Sequence, residues 1–172
     1  GDRVTKDDLR TEAYGAVDEA VAALGLARAE LSAMAAADAL TPRLDRLNEL
    51  VLRIQRELFV VGAELATNPE ARDKARDDVT SVSQGMVHGM DEMLRETEGR
   101  IVLPQEFVIP GETRLSAALE MGRTVLRRAE RRAVTLSHHD EELASSRLLP
   151  YLNRLADLLW VLARAAEQAE EQ

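Results

Sequence analysis

Apolar residues recur at intervals of three and four over most of this 172-residue chain, the spacing of one face of an α-helix. Leu9, Ala13, Val17, Val21, Leu24 and Ala27 mark a first helix, capped by Asp7 or Asp8 and running to about Ala37. Gly15 and Gly25 fall inside it. A helical Gly costs about 1 kcal/mol relative to Ala, so both point to close approach by another helix or a ligand. Thr41-Pro42 is a restart, a capping hydroxyl followed by Pro at the first helical position. Leu44, Leu47, Val51, Ile54, Leu58, Val61 and Leu65 follow as a long seam that Asn68-Pro69 stops. The charged segment Glu70 to Asp78 reads as a linker or a short helical turn. Thr80 or Ser81 opens a third helix with Val82, Met86, Met90 and Met93 on one side, Gly85 and Gly89 within it, and Gly99 at its end.

The stretch from Ile101 to Gly111 contains Pro104 and Pro110 and reads as an extended loop. It is rich in apolar residues for a loop, with Ile101, Val102, Leu103, Phe107, Val108 and Ile109. Exposed apolar loops tend to cover a site or meet a partner chain. Thr113 starts a fourth helix through Leu115, Leu119, Gly122, Val125, Leu126, Ala129 and Ala133, which Ser137 to Asp140 interrupts. Pro150 to Glu167 forms a fifth around Leu152, Leu155, Leu158, Leu159 and Leu162. No repeat of solenoid length is present. Five long helices with short connections predict one all-α domain, an up-and-down five-helix bundle.

Composition narrows the chemistry. Only two Phe, two Tyr and one Trp occur, too few for a β-sandwich or a base-stacking platform. The formal charge of −9 argues against a general nucleic-acid binder, so any anion site must be a local basic island. Without Cys there are no disulfides, thiolate metal sites or Cys nucleophile. No apolar run is long enough to span a bilayer and no signal peptide opens the chain, so the expectation is a cytoplasmic protein without a membrane partner.

The densest chemical signal is Arg123-Thr-Val-Leu-Arg127-Arg128-Ala-Glu130-Arg131-Arg132, five Arg and one Glu in ten residues. On a helix Arg123, Arg127 and Arg131 share one stripe, and Arg128 and Arg132 form its neighbour. Guanidinium forks on one face match a polyphosphate, although a solvated face paired with acidic neighbours has the same pattern. Asp18-Glu19 lies among Val17, Ala20 and Val21; it reads as a rim carboxylate or as one facing a charge such as Arg123. Asn153, Arg154 and Asp157 open a Leu-rich helix and suit either a ligand or capping and solvent. Phe107 by itself reads as plain packing. His138-His139 lacks supporting ligands for zinc, and no metal site is assigned. There is no HExxH, GxSxG or Walker loop. What remains is chemistry by positioning and charge neutralisation.

Five collinear blocks carry a resemblance. They are Arg3-Val-Thr-Lys6-Asp-Asp with Glu12-Ala-Tyr-Gly15-Ala-Val-Asp18-Glu19; Gln55-Arg-Glu-Leu-Phe59-Val-Val-Gly62-Ala-Glu-Leu-Ala66-Thr67; Phe107-Val-Ile-Pro110-Gly111; the Arg123–Arg132 block; and Tyr151-Leu-Asn153-Arg154-Leu-Ala-Asp157-Leu. Together they resemble the PduO-type ATP:cob(I)alamin adenosyltransferases. The resemblance implies a ferritin-like homotrimer of five-helix bundles with active sites between subunits. It implies transfer of the 5′-deoxyadenosyl group of ATP to cob(I)alamin with release of triphosphate, and Mg²⁺ accompanying the phosphates. The cobalt centre then carries the hard chemistry, while protein supplies geometry and electrostatics. By motif position, Lys6, Arg127 and Asn153 would contact ATP and Glu130 would order the nucleotide site. Asp18 and Arg123 would pair across the subunit interface beneath the corrin. Phe107 would lie on the corrin's lower face, and a reductase is a candidate partner.

Three departures from the family pattern accompany the resemblance. The 172 residues read as one adenosyltransferase domain without the family's N-terminal Thr-Gly-Asp-x-Gly-Thr loop over ATP. Pro110-Gly111-Glu112-Thr113 stands where Pro-Gly-Gly-Ser is usual, and Arg56 replaces a small polar residue. The alternative expectation is therefore a catalytically silent bundle that binds cobalamin or a partner protein and has lost its nucleotide loop.

Overall fold

In the computed structural model, which describes residues 8–170 apart from the side chains of residues 71 and 72, side-chain caps set where most helices begin. Asp8 accepts a hydrogen bond from the Arg10 amide at 2.8 Å and opens α1 (Leu9–Ala36). Thr41 accepts from the Leu44 amide at 3.3 Å and opens α2 (Pro42–Ala66), with Pro42 in its first turn. A 3₁₀ turn follows at Pro69–Lys74, in the segment read as a linker or short helical turn. Thr113 and Ser116 exchange side-chain and backbone bonds in a capping box and open α4 (Arg114–Ser137).

Three boundaries differ from the sequence reading. Ser83, not Thr80 or Ser81, caps α3 (Gln84–Glu98), accepting from the Met86 amide at 3.1 Å. The earlier hydroxyls are used in the preceding turn: Thr80 accepts from the Arg76 amide at 2.8 Å and Ser81 donates to Asp77 at 3.1 Å. A short helix α5 (Glu141–Ser145), capped by Asp140, fills a stretch with no predicted element. The last helix, α6, runs from Leu148 to Glu170 rather than starting at Pro150. Pro150 fits inside its first turn because an amide there has no intrahelical acceptor.

Ion pairs give the helix directions. Arg114–Glu30, Arg128–Glu19 and Arg132–Glu12 run in opposite senses along α4 and α1, so these helices are antiparallel. Asn153–Glu130 and Arg164–Glu120 make α6 antiparallel to α4. Arg147–Gln84 and Arg154–Asp91 make α3 parallel to α6. Neighbours in space follow the order α3, α6, α4, α1, α2, while the five long helices alternate in direction along the chain. This is the expected up-and-down bundle. The loop from α3 to α4 passes the C-terminal end of α6, where the Val102 amide and carbonyl both bond the Gln168 side chain, at 3.0 and 2.7 Å.

The core lies between these helices and includes Leu24, Leu31, Ile54, Leu58, Met90, Leu119, Leu126, Tyr151 and Leu159. At Gly122 α4 packs tightly on α1, since a Cβ there would meet Leu24 Cδ2 at 2.6 Å. The two glycines read as marking close approach by a helix or a ligand have no tight helix contact among the described residues: a Cβ on Gly15, which lines a cleft, meets nothing within 4 Å, and one on Gly25 only Gln55 Nε2 at 3.8 Å. Arg10 closes one end of the bundle. It donates to the Leu65 and Thr67 carbonyls at 2.8 and 2.9 Å and to Asp140 at 2.9 Å. Unpaired carbonyls at the C-terminus of α2 thereby gain a cationic donor. Among the described residues no helix is long and apolar enough to cross a membrane.

Candidate active site

The Arg-rich stretch of α4 divides between two faces. Arg128 and Arg132 reach across to Glu19 and Glu12 of α1, so this stripe is the paired, helix-tying arrangement. Arg123 and Arg127 face the other way and line a cleft of about 580 Å³ floored by α6 and walled by α3 and α4. Leu94 and Glu98 come from α3; Asn153, Arg154, Asp157 and Trp160 come from α6. Arg131 is exposed and lines neither wall.

One carboxylate joins the two helices at this cleft. Glu130 accepts from Arg127 Nη1 at 2.7 Å through Oε2 and from Asn153 Nδ2 at 3.2 Å through Oε1. A guanidinium held by one nitrogen keeps its remaining N–H donors for an anion, and its fork geometry suits phosphate oxygens. Asn153 is fixed in the same way with its amide oxygen left over. Arg154 pairs with Asp91 of α3 at 2.6 Å and with Asp157 at 3.4 Å, tying the far wall to the floor.

Asp18 stands elsewhere. It is exposed on α1 and lines a second cleft of about 370 Å³ between α1 and α2, with Tyr14, Gly15, Phe59 and Gly62. Arg123 is not its partner within the chain; Arg123 Nε donates to Glu120 at 2.7 Å. Phe107 is fully exposed among the described residues, alongside Val102 at 79% and Ile109 at 87%. Plain packing of Phe107 within the described part of the protomer is not what the structure has. Lys6 lies outside the described residues. Glu112 and Arg56 are exposed, and Gly111 has a φ of +125°, a conformation suited to Gly. A third groove, of about 280 Å³, lies between α2 and α3, but its rim arginines are committed to acids: Arg46 and Arg100 to Glu96, Arg53 to Glu57.

Residues 1–166 match the family model described as cobalamin adenosyltransferase. The chain belongs to that family. Among its relatives, the corrinoid adenosyltransferase of Bacillus subtilis is 36% identical over 165 residues, covering 95% of this chain and 77% of the relative. The corrinoid adenosyltransferase PduO of Salmonella typhimurium is 34% identical over the whole of this chain and 46% of its own length. A variant PduO-type ATP:corrinoid adenosyltransferase from Lactobacillus reuteri, solved with cobalamin and ATP, superposes with a TM-score of 0.75 at 28% identity, over 98% of this chain and 86% of that one. Another variant from the same organism, solved with ATP, gives 0.77 at 27% identity, over 100% and 89%.

Three residues at or behind this family member's cleft, Trp160 in its lining and Glu120 and Arg164 behind it, escaped the sequence reading. Glu120 and Arg164 are buried and joined to each other, and Trp160 lies over Arg164 with its ring centroid 5.6 Å from the guanidinium carbon. A signal was present in the sequence. Ser116 and Glu120 repeat the register of Leu115 and Leu119 one residue later, and Arg164 is enclosed by Leu162, Ala163 and Ala166.

Proposed function

We propose that this family member transfers the 5′-deoxyadenosyl group of ATP to cob(I)alamin at the α4/α6 cleft. The observation that supports this best is the joining of Arg127 and Asn153, from different helices, through Glu130 at an open cleft that also holds Arg123. In this reading the cobalt(I) electron pair forms the new bond to C5′ while the C5′–O5′ bond breaks and its pair departs on triphosphate. The protein supplies no nucleophile. Arg127 and Lys6 bind phosphate oxygens and meet the charge that accumulates on the leaving group. Asn153 and Glu130 orient the nucleotide. Phe107, exposed on the loop between α3 and α4, covers the lower corrin face and excludes an axial ligand.

Asp18 and Arg123 sit in separate clefts of one chain, and each suits a partner from outside it. We assign them to each other across the interface of a homotrimer, so that each active site is shared between protomers. The described residues contain no cluster of three or more His, Asp or Glu for a metal. A Mg²⁺ arriving with ATP would take phosphate oxygens as ligands and neutralise charge on the triphosphate. A cytoplasmic location and a reductase that supplies cob(I)alamin belong to the same reading.

The test is anaerobic turnover of cob(I)alamin with Mg·ATP, read by the corrin absorbance, together with melting curves for each ligand. ATP with Mg²⁺ raises the Tm, Arg127→Ala abolishes that shift, and adenosylcobalamin accumulates. Stabilisation by cobalamin but not ATP, with no turnover, would transfer the conclusion to the silent binder.

A further inference from the structure

A buried ionic chain stands behind the cleft. Glu120 of α4 and Arg164 of α6 are 3% and 2% exposed. Glu120 Oε2 accepts from Arg123 Nε at 2.7 Å, and Oε1 accepts from Arg164 Nη1 at 3.4 Å. Arg164 Nε and Nη2 fork onto Glu167 at 2.7 and 2.8 Å. The sequence of partners is Arg123–Glu120–Arg164–Glu167, two cations alternating with two anions. Arg123 at one end and Trp160 above Arg164 both reach the cleft wall.

Burying such a chain is a poor route to stability. Desolvating the ions costs about as much as their attraction returns, and apolar residues of similar volume do as well or better. What the chain supplies is orientation. Arg123 is a flexible side chain beside a cleft that also contains Glu98 and Asp157. Binding its Nε to a buried carboxylate removes most of that freedom. Both Nη groups of Arg123 are left without a partner among the described residues. Glu120 can hold this position because Arg164 fixes its other oxygen, and Arg164 is itself clamped by Glu167.

We propose that Glu120, held by Arg164, is a positioning residue that aims the Arg123 fork for adenosyl transfer. The proposal rests on the function inferred above and adds a residue to it. The experiment is a double-mutant cycle in steady-state turnover with Glu120→Gln, Arg123→Gln and the pair. Glu120→Gln keeps the side-chain shape and removes the charge. It should lower kcat/KM for cob(I)alamin on the order of 10- to 100-fold, the scale of a misplaced catalytic group, and leave the KM for ATP within about twofold. In the Arg123→Gln background the same change should have no further effect, because Glu120 acts through Arg123. Equal losses in both backgrounds, or a lowered Tm with unchanged kinetics, would mean that Glu120 is structural and overturn the proposal. If Glu120→Gln does not fold, the cycle is decided with Glu120→Asp, which keeps the charge and retracts the carboxylate. Absence of turnover in the unmutated protein would instead remove the functional reading and this proposal with it.

Discussion

Gly122→Ala tests how closely α1 and α4 are packed beside Arg123. The added methyl carbon would stand 2.6 Å from Leu24 Cδ2 and 3.2 Å from Leu24 Cγ. Carbon atoms prefer about 3.5–4.0 Å, so one of the two groups must move. Leu24 is completely buried and cannot swing its isobutyl group into solvent. Two effects of opposite sign then compete. Ala is the better helix former by about 1 kcal/mol, whereas overpacking a filled core costs about 1–3 kcal/mol. With Leu24 trapped the steric cost is about 2 kcal/mol, leaving a net loss of about 1 kcal/mol. For a chain of this length that lowers the Tm by about 2–4 °C. Gly25→Ala is the matched control. Its Cβ meets only Gln55 Nε2 at an ordinary 3.8 Å, so propensity acts alone and the Tm rises. Thermal unfolding followed by far-UV circular dichroism reads both. A Gly122→Ala protein melting at or above the parent temperature would refute the argument that the α1–α4 spacing has no slack.

Adjacent arginines should behave differently. Arg128→Ala breaks a half-exposed pair with Glu19 and costs at most about 1 kcal/mol while leaving the ATP response intact, whereas Arg127→Ala melts normally and loses that response; differential scanning calorimetry with and without Mg·ATP separates them. Phe107→Ala removes a side chain that the protomer does not bury, so the Tm stays within about 1 °C while kcat/KM for cob(I)alamin falls about tenfold or more; a melting loss of several degrees would show that the ring is packed in the assembled protein. Tyr151 is buried and donates to Glu57 at 2.8 Å; burial first, and the Glu57 carboxylate second, raise its pKa well above the usual 10.0. The folded protein therefore holds this proton more tightly than the unfolded chain. The associated stability is complete below pH 10 and is lost as pH rises toward the elevated folded value, so Tyr151→Phe should flatten the alkaline limb of Tm against pH.

Helix positions were largely legible because each long helix has an apolar stripe and most have a side-chain cap. Thr41 and Thr113 are the caps that the pattern names. The start of α3 was misread for a local reason. Several hydroxyls compete before it, and only tertiary geometry decides that Thr80 and Ser81 close a turn and Ser83 caps the helix. At five residues, α5 is too short to display a period. At the site, spacing separated Arg123 and Arg127 from Arg128 and Arg132, but it grouped Arg131 with the cleft pair and could not say which stripe meets α1. That outcome depends on the acids Glu12 and Glu19, which lie more than a hundred residues away in sequence. Motif positions named Arg127, Glu130 and Asn153 one by one but not their joining through Glu130, and the Glu120–Arg164 pair was missed because an acid on α4 reads as surface until α6 is placed over it.

On the reading proposed above, charge is one reason that a single protomer would make an incomplete site. The α4/α6 cleft is lined by Arg123, Arg127 and Arg154 against Glu98 and Asp157, and Glu120 and Glu130 stand immediately behind. This is close to neutral, in a chain whose formal charge is −9. A triphosphate gains from the guanidinium forks through directed hydrogen bonds, but little from the surrounding field. In the proposed reaction, Lys6, a metal ion arriving with ATP and an adjoining protomer are the sources of further positive charge. Near-neutrality also has a mechanistic use. Carboxylates already bonded to the arginines hold them in place before substrate arrives, so less reorganisation is left for the moment when charge develops on the leaving triphosphate. The same acids that weaken ground-state attraction thus fix the donors where the transition state needs them, which favours turnover over tight retention of ATP.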